Sequence, residues 1–442
     1  MALAQQHAAR KPKRMDPAAE ARNAFFVRSD LDSTLELTDA ALQAHPSDPE
    51  LLFLRMEAAA LKLDAPTTLD AAIRLCAAAS GGLDPRGIIA ASRIRELAAN
   101  SSQFRTVVPR LRQLIAADSP YSHDLRSALI AAAADGTRGL NLLSLARDAG
   151  LITDWNVGGP FGKYPNVAFE QSWPPEHDSL PAKSPSPLPV ERLRTSDGGF
   201  DLPAYFPRTG VFYAAATLKV SEAGRHTLRV DSDGTLETFV DGRSVLRKDS
   251  RFRSGPGAEL SDVNLAPGVH TLLVKFIPSA VPFQVALLPS RPPAEQKLAG
   301  DPTELAYISA ARHYWAGRYA EAATGLQALF NSRPSAAVDV LLANTWERAT
   351  DDSPEESNYL LSALKASQQT AAADFRLAQK ALSAGRTEEA WQRASSVAQD
   401  RPDFFPAQEI VARIASARDW TVETIAAIDA ILRIHPSCAA IE

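Results

Sequence analysis

A recurrence of 34 residues constrains this chain more than any other feature. Gly317, Gly385 and Asp419 each punctuate two helical stretches and stand 68 and 34 residues apart; Pro334, Pro402 and Pro436 repeat those separations. Ala310, Ala378 and Ala412 lie seven residues before the punctuating position, and Ala322 and Ala390 five after it. Such a period suits a helix–turn–helix hairpin. Small residues let two helices approach, Gly ends the first, and Pro forces a break before the next hairpin. No single hairpin can bury its apolar face, so hairpins must stack. The repeat over 336–369 is degenerate, with Asp351-Asp352-Ser353-Pro354 at its turn. Residues 16–150 keep the rhythm more weakly, with turn-like positions near Asp30, Asp64, Asn100 and Asp135-Gly136. Asp48-Pro49, Asp84-Pro85 and Ser119-Pro120 read as helix starts, Pro being suited to a first helical turn. Four degenerate hairpins are expected there.

Between these helical stretches the pattern changes to period two. In Val211–Val220, the residues Phe212, Ala214, Ala216, Leu218 and Val220 share one face; Leu272, Val274 and Phe276 share another within Val269–Phe276. Arg225–Val230 and Phe283–Leu288 read as further strands. Asp241-Gly242 is a strong hairpin signal, and Pro267-Gly268 a second tight turn. Short strands with frequent turns indicate an antiparallel sandwich. Ser172–Val190 holds six prolines and reads as an extended excursion rather than a strand. The fold class is therefore multidomain α + β, two arrays of helical hairpins flanking an antiparallel β-sandwich. The expected division is an arm or signal-peptide remnant at 1–15, a helical repeat domain at 16–150, a sandwich at 151–293 and a second repeat domain at 302–442.

Two resemblances follow from these residues. "ARHYWAGRYAEA" and "AQKALSAGRTEEA" resemble the tetratricopeptide repeat. "DWNVGGPFGKYPNVAFEQSWPP", "VDSDGTLETFVDGRSVL" and "LAPGVHTLLVKF" resemble a jelly-roll module of exported bacterial proteins, a relative of galactose-binding-like and protective-antigen-type lectin sandwiches. Such modules often accompany tetratricopeptide repeats and precede transglutaminase-like domains, but no Cys-His-Asp set for that chemistry is present. The resemblance implies export to the periplasm or secretion, with the cytoplasm as the alternative. Ala2-Leu3-Ala4 before Gln5 has the small-x-small form of a signal-peptidase site, or is simply an Ala-rich tail. The basic cluster at Arg10, Lys11, Lys13 and Arg14 reads as a solvated arm.

Composition excludes several functions. The 47 Lys+Arg against 52 Asp+Glu leave a net charge of −5, without the basic excess of a dedicated nucleic-acid binder. No 18-residue apolar run exists to span a membrane. Cys76 and Cys438, 362 residues apart, give neither a disulfide framework nor a zinc site. HExxH, CxxC and GxSxG are all missing. Gly158-Gly159-Pro160-Phe161-Gly162-Lys163 superficially resembles a phosphate loop, but it is one residue short, has Tyr164 where Ser or Thr should bind magnesium, and is expected to precede no helix. It is expected to open the sandwich, with Trp155 and Phe161 in the core. His226 and His270 fall in expected strands and read as surface or satisfied core residues rather than metal ligands.

No catalytic residue, cofactor or metal is therefore expected, and the reading is a non-enzymatic scaffold for a protein or peptide partner. The first helix of each hairpin lines the concave face of a tetratricopeptide stack, so Tyr307, Tyr314, Phe375, Gln379 and Arg413 are the implied groove residues, or alternatively pack against a neighbouring repeat or the sandwich. Carbohydrate or cell-envelope binding by the sandwich is an alternative. Asp231 and Asp233, with Asp241, would offer oxygen ligands to Ca²⁺, and Trp173 and Tyr205, with Tyr164 and Tyr213, would stack on a sugar. The same Asp-Gly pairs suit tight turns. A third possibility is the accessory region of a transglutaminase-like enzyme.

Overall fold

The computed structural model describes residues 16–78, 83–98, 104–117, 119–134, 140–177, 190–207, 209–250, 258–279, 282–288, 296–349, 354–367 and 369–434. The arm at 1–15, Asn100, Asp135-Gly136, residues 178–189 of the proline-rich excursion, Asp351-Asp352-Ser353, Pro436 and Cys438 lie outside them.

Among the described residues eight α-helices come first: α1 (Pro17–Asn23), α2 (Leu31–Ala44), α3 (Pro49–Leu61), α4 (Ala65–Ala78), α5 (Pro85–Ala98), α6 (Phe104–Ala116), α7 (Ser122–Ala134) and α8 (Leu142–Asp148). Local chemistry sets their starts. Asp48 Oδ1 accepts from the amides of Glu50 and Leu51 at 2.9 and 3.1 Å, and Pro49 takes the first helical position. Asp84 caps α5 similarly, accepting from the Arg86 amide at 2.8 Å.

The C-terminal stack comprises α10 (Pro302–Trp315), α11 (Tyr319–Ser332), α12 (Ala336–Ala349), α13 (Pro354–Ala366), α14 (Ala371–Ser383), α15 (Thr387–Asp400), α16 (Phe405–Ala417) and α17 (Thr421–Ile434). Gly317, Gly385 and Asp419 all adopt left-handed backbone (φ 72°, 73° and 57°), the conformation that ends a helix and turns the chain into its partner. The recurring alanines sit where paired helices cross: Ala310, Ala322, Ala378 and Ala390 are all buried. A methyl group on Gly325 would stand 3.3 Å from Ala310 Cβ, which shows how close α10 and α11 run.

Between the helical spans the described residues form ten antiparallel strands: β1 (Asp154–Phe161), β2 (Glu191–Arg194), β3 (Gly199–Phe200), β4 (Val211–Val220), β5 (Gly224–Asp231), β6 (Leu236–Val240), β7 (Arg243–Lys248), β8 (Ala258–Leu265), β9 (Gly268–Phe276) and β10 (Phe283–Leu288). They form a six-stranded sheet ordered β2-β1-β4-β9-β6-β7 and a four-stranded sheet ordered β3-β10-β5-β8. The faces set by alternation hold. Phe212, Ala214, Ala216, Leu218 and Val220 of β4 and Leu272, Val274 and Phe276 of β9 meet Leu228, Val230 and Val285 of the other sheet in one core, with Trp155. Asp241 and Gly242, both at positive φ (48° and 75°), close the β6–β7 hairpin. Pro267-Gly268 does something different from a hairpin turn: β8 pairs with β5 and β9 with β4 and β6, so the chain crosses between sheets there.

One sequence expectation fails near the false phosphate loop. A five-residue helix, α9 (Pro165–Phe169), follows it, with Pro165 at its first position. With the 3₁₀ turn Pro174–Glu176, it covers the outer face of the six-stranded sheet, where Phe161, Phe169, Val211, Tyr213 and Leu273 cluster. Beneath it Lys275 Nζ reaches Glu176 Oε1 at 2.8 Å and the Gln171 carbonyl at 2.7 Å, and the Tyr213 hydroxyl bonds Glu176.

The helical spans are not independent. One apolar core runs from Phe25, Phe53, Leu75 and Ile94 into Tyr307, Leu341 and Leu377. α5 packs on α10, and α3 on α12 and α14, so N-terminal helices pack against the first helix of three C-terminal hairpins. The outer face of the four-stranded sheet seats on α7 and α8 through Ala286 and Leu288 against Ile130 and Ala146. There the incoming chain pairs with β10, Ile152 N to Val285 O at 2.8 Å and Leu287 N to Gly150 O at 3.0 Å.

Candidate functional site

A cavity of about 420 Å³ opens between α3–α5 and the helices α12, α14 and α16. It brings together two of the expected groove residues, Phe375 and Gln379, one turn apart on α14. Phe375 meets Phe404 edge-on with centroids 4.8 Å apart, and Phe405 and Pro406 continue the wall where α16 begins. Arg376 Nη1 donates to Gln379 Oε1 at 2.9 Å and also pairs with Glu347. Arg93 and Glu96, joined at 3.0 Å, close the opposite side from α5. The result is an aromatic floor with amide and charged groups at its edge.

The other implied groove residues lie elsewhere. Tyr307 is 1% exposed, at the centre of the joint between the helical spans. Its ring packs against Phe25, Phe26 and Phe53, and its hydroxyl donates to Glu57 Oε2 at 2.8 Å. Glu57 also receives Arg93 at 3.3 Å, and burial together with the Glu57 charge pushes the Tyr307 hydroxyl well above its ordinary range. Arg413 is exposed on α16 and is not part of the cavity wall. Tyr314 lines a second cleft.

That second cleft, of about 590 Å³, opens between the sandwich and the helices. Asp231 and Tyr314 both line it, one from the end of β5 and one from α10. Arg229 on β5 reaches across to Asp124 on α7 at 3.2 Å. Burial opposes ionisation of Asp124, but Arg229, His123 and Arg95 outweigh it and hold the carboxyl below its usual range. An adjoining cavity of about 270 Å³ shares Arg95, Arg229 and Asp231 with this cleft and contains His123. Burial and the Arg229 charge lower that imidazole to about 4, so it is neutral at physiological pH.

The sandwich candidates do not converge. Asp231 sits on the outer side of the four-stranded sheet, whereas Trp173 lies across the molecule on the outer side of the six-stranded sheet, its Nε1 donating to the Ala168 carbonyl at 2.9 Å. Tyr205 is 68% exposed with its hydroxyl on Glu191. Asp233 is half-buried, and burial raises its carboxyl above the usual range. Asp241 accepts from the Thr271 amide at 2.9 Å and lies 2.7 Å from His270 Nδ1, which is the turn-capping arrangement. Among the described residues, no three His, Cys, Asp or Glu side chains are grouped so as to hold a metal ion. No helix among them is long and apolar enough to cross a membrane.

Sequence reasoning missed Arg376, Phe404 and Phe405 in the first cavity and Arg95, Arg318 and Arg348 in the second. Phe404-Phe405-Pro406 stands at a repeat break and Arg318 directly follows Gly317, so both had a positional signal. Arg95 and Arg348 had none.

No protein-family model matches the chain, and no curated protein matches it. Among solved structures, a β-glucosidase from Kluyveromyces marxianus in complex with glucose aligns over 36% of this chain and 18% of its own, at 14% identity and a TM-score of 0.21. A selenomethionine-labelled form of that enzyme aligns over 49% of this chain and 24% of its own, at 11% identity and a TM-score of 0.21. A GH31 α-xylosidase from Xanthomonas citri aligns over 31% and 16%, at 17% identity and a TM-score of 0.18. The matched regions thus span less than a quarter of each solved chain.

Proposed function

We propose that this protein is a non-enzymatic interaction scaffold, built of tetratricopeptide-like hairpins around a lectin-like jelly-roll sandwich and acting outside the cytoplasm. Its partner is a peptide or protein segment that inserts an apolar side chain into the open part of the concave face. The observation that carries this reading is the cavity of about 420 Å³ floored by Phe375, Phe404 and Phe405 and edged by Gln379 and Arg376. Aromatic anchors in a concave pocket with a few polar groups at the rim are the usual make-up of a recognition site. Gln379 would bond the segment's backbone while the rings take its side chain.

The test is selection of a display library of random short peptides on the full chain. The expected result is enrichment of sequences with an aromatic or aliphatic anchor, whose binding falls about tenfold or more in Phe404→Ala and is unchanged in Arg413→Ala. No enrichment, or enriched peptides indifferent to Phe404→Ala and Gln379→Ala, would refute the reading.

A further inference from the structure

The cleft between sandwich and helices has a charge imbalance that the peptide-binding reading leaves unexplained. Five arginines line it, Arg95, Arg229, Arg312, Arg318 and Arg348, against three carboxylates, Asp124, Asp231 and Glu259, in a chain whose net charge is −5. Arg229 is matched by Asp124. By contrast, the side chains of Arg95, Arg318 and Arg348 make no hydrogen bond or ion pair among the described residues, while Arg55, Arg93, Arg376 and Arg393 are each paired elsewhere in the fold. Guanidiniums with no hydrogen bond or ion pair among the described residues, drawn from α5, the α10–α11 turn and the end of α12, stand around one hollow in an oxyanion-binding arrangement. Each presents a planar fork of donors to a carboxylate or phosphate.

Two further features narrow the ligand. Tyr314 and Trp315 pack edge to face at 5.1 Å, and Tyr319 joins Tyr314 at 5.7 Å, giving the cleft an aromatic wall. Asp231, Arg95, Arg348 and Tyr319 all line the same cleft, which therefore carries an acceptor as well as cations. Acceptors for hydroxyls, an aromatic face for a ring and guanidiniums for an anion are together the requirements of a charged sugar. The volume of about 590 Å³ is within the range of small-molecule sites.

We propose that this cleft binds a small anionic sugar, a ring bearing a carboxylate or a phosphate. The oxyanion is held by Arg318, Arg348 and Arg95, the ring rests on Tyr314 and Trp315, and its hydroxyls donate to Asp231. The site is independent of the peptide cavity, because Arg318, Arg348 and Asp231 line this cleft and not that cavity.

Thermal-shift and calorimetric titrations of the full chain with glucuronate, glucose 6-phosphate, inorganic phosphate and uncharged glucose test it. The expected result is stabilisation and saturable binding with glucuronate or glucose 6-phosphate and none with glucose, the better of the two anions identifying the source of the oxyanion. Arg318→Ala and Arg348→Ala, both exposed and therefore safe for folding, should each weaken that binding about tenfold, and Arg413→Ala should leave it unchanged. Added salt should weaken it further. Equal binding of glucose, equal binding of inorganic phosphate alone, indifference to both arginine variants, or no binding of either sugar anion would each overturn the proposal.

Discussion

Asp339 offers a quantitative test of how the C-terminal stack is packed. It lies on α12 and is 0% exposed, and neither carboxyl oxygen has a hydrogen-bond partner in good geometry. Burial raises the group from 3.8 to about 6, and the nearby Ser362 hydroxyl offsets only part of that effect. Between about pH 4 and pH 6 the folded chain therefore keeps a proton that the unfolded chain releases, so stability falls as pH rises through this window. The distance from 3.8 to about 6 corresponds to about 3 kcal/mol, the most that Asp339 withdraws from stability at neutral pH. Asp339→Asn keeps the shape and removes the titration. Urea unfolding of both chains at about pH 4 and about pH 7.5 should show the variant gaining on the wild type by about 2–3 kcal/mol as pH increases. A difference between the two proteins that is the same at both pH values would mean instead that Asp339 ionises in place with a partner.

Three other perturbations probe the joints. Tyr307→Phe removes the hydroxyl from Glu57 and should cost about 1–2 kcal/mol, whereas Tyr307→Ala also empties the aromatic cluster and should cost about 3–5 kcal/mol; denaturant midpoints read both. Lys275→Ala leaves Glu176 without its buried cation and should cost about 3–5 kcal/mol, while replacing both residues by apolar ones should cost distinctly less, as a double-mutant cycle in thermal unfolding would show. Gly150→Ala forces a non-glycine residue to φ 74° and sets its methyl 2.4 Å from the Leu287 carbonyl oxygen, so the join between α8 and β10 should loosen and the melting temperature should drop.

What could be read from sequence was local. The alternation in β4 defined both its bounds and its inward face, because a one-residue slip would have put Phe212 and Leu218 in water. Gly317 and Gly385 marked helix ends because only left-handed backbone closes those turns at low cost. What stayed hidden depends on contacts between distant segments. Tyr307 has the position of a groove residue in its own hairpin, yet the ring is covered by Phe25 and Phe53, some 250 residues earlier in the chain, with Glu57 as its partner. The arginine cleft draws on residues 95, 229, 312, 318 and 348, which no local pattern relates. Phe375 and Gln379 were recognisable because both lie on one helix, one turn apart. The Phe404 ring completing their pocket comes from the next repeat break.

Hydrogen-exchange mass spectrometry of the full chain, with and without a peptide selected on it, examines the scaffold role at its source. Slowed exchange should appear in α14 and at the start of α16, with β5 and the α10–α11 turn unaltered. Protection confined to the sandwich, or none in α14 and α16 at saturating peptide, would contradict a partner seated on the concave face.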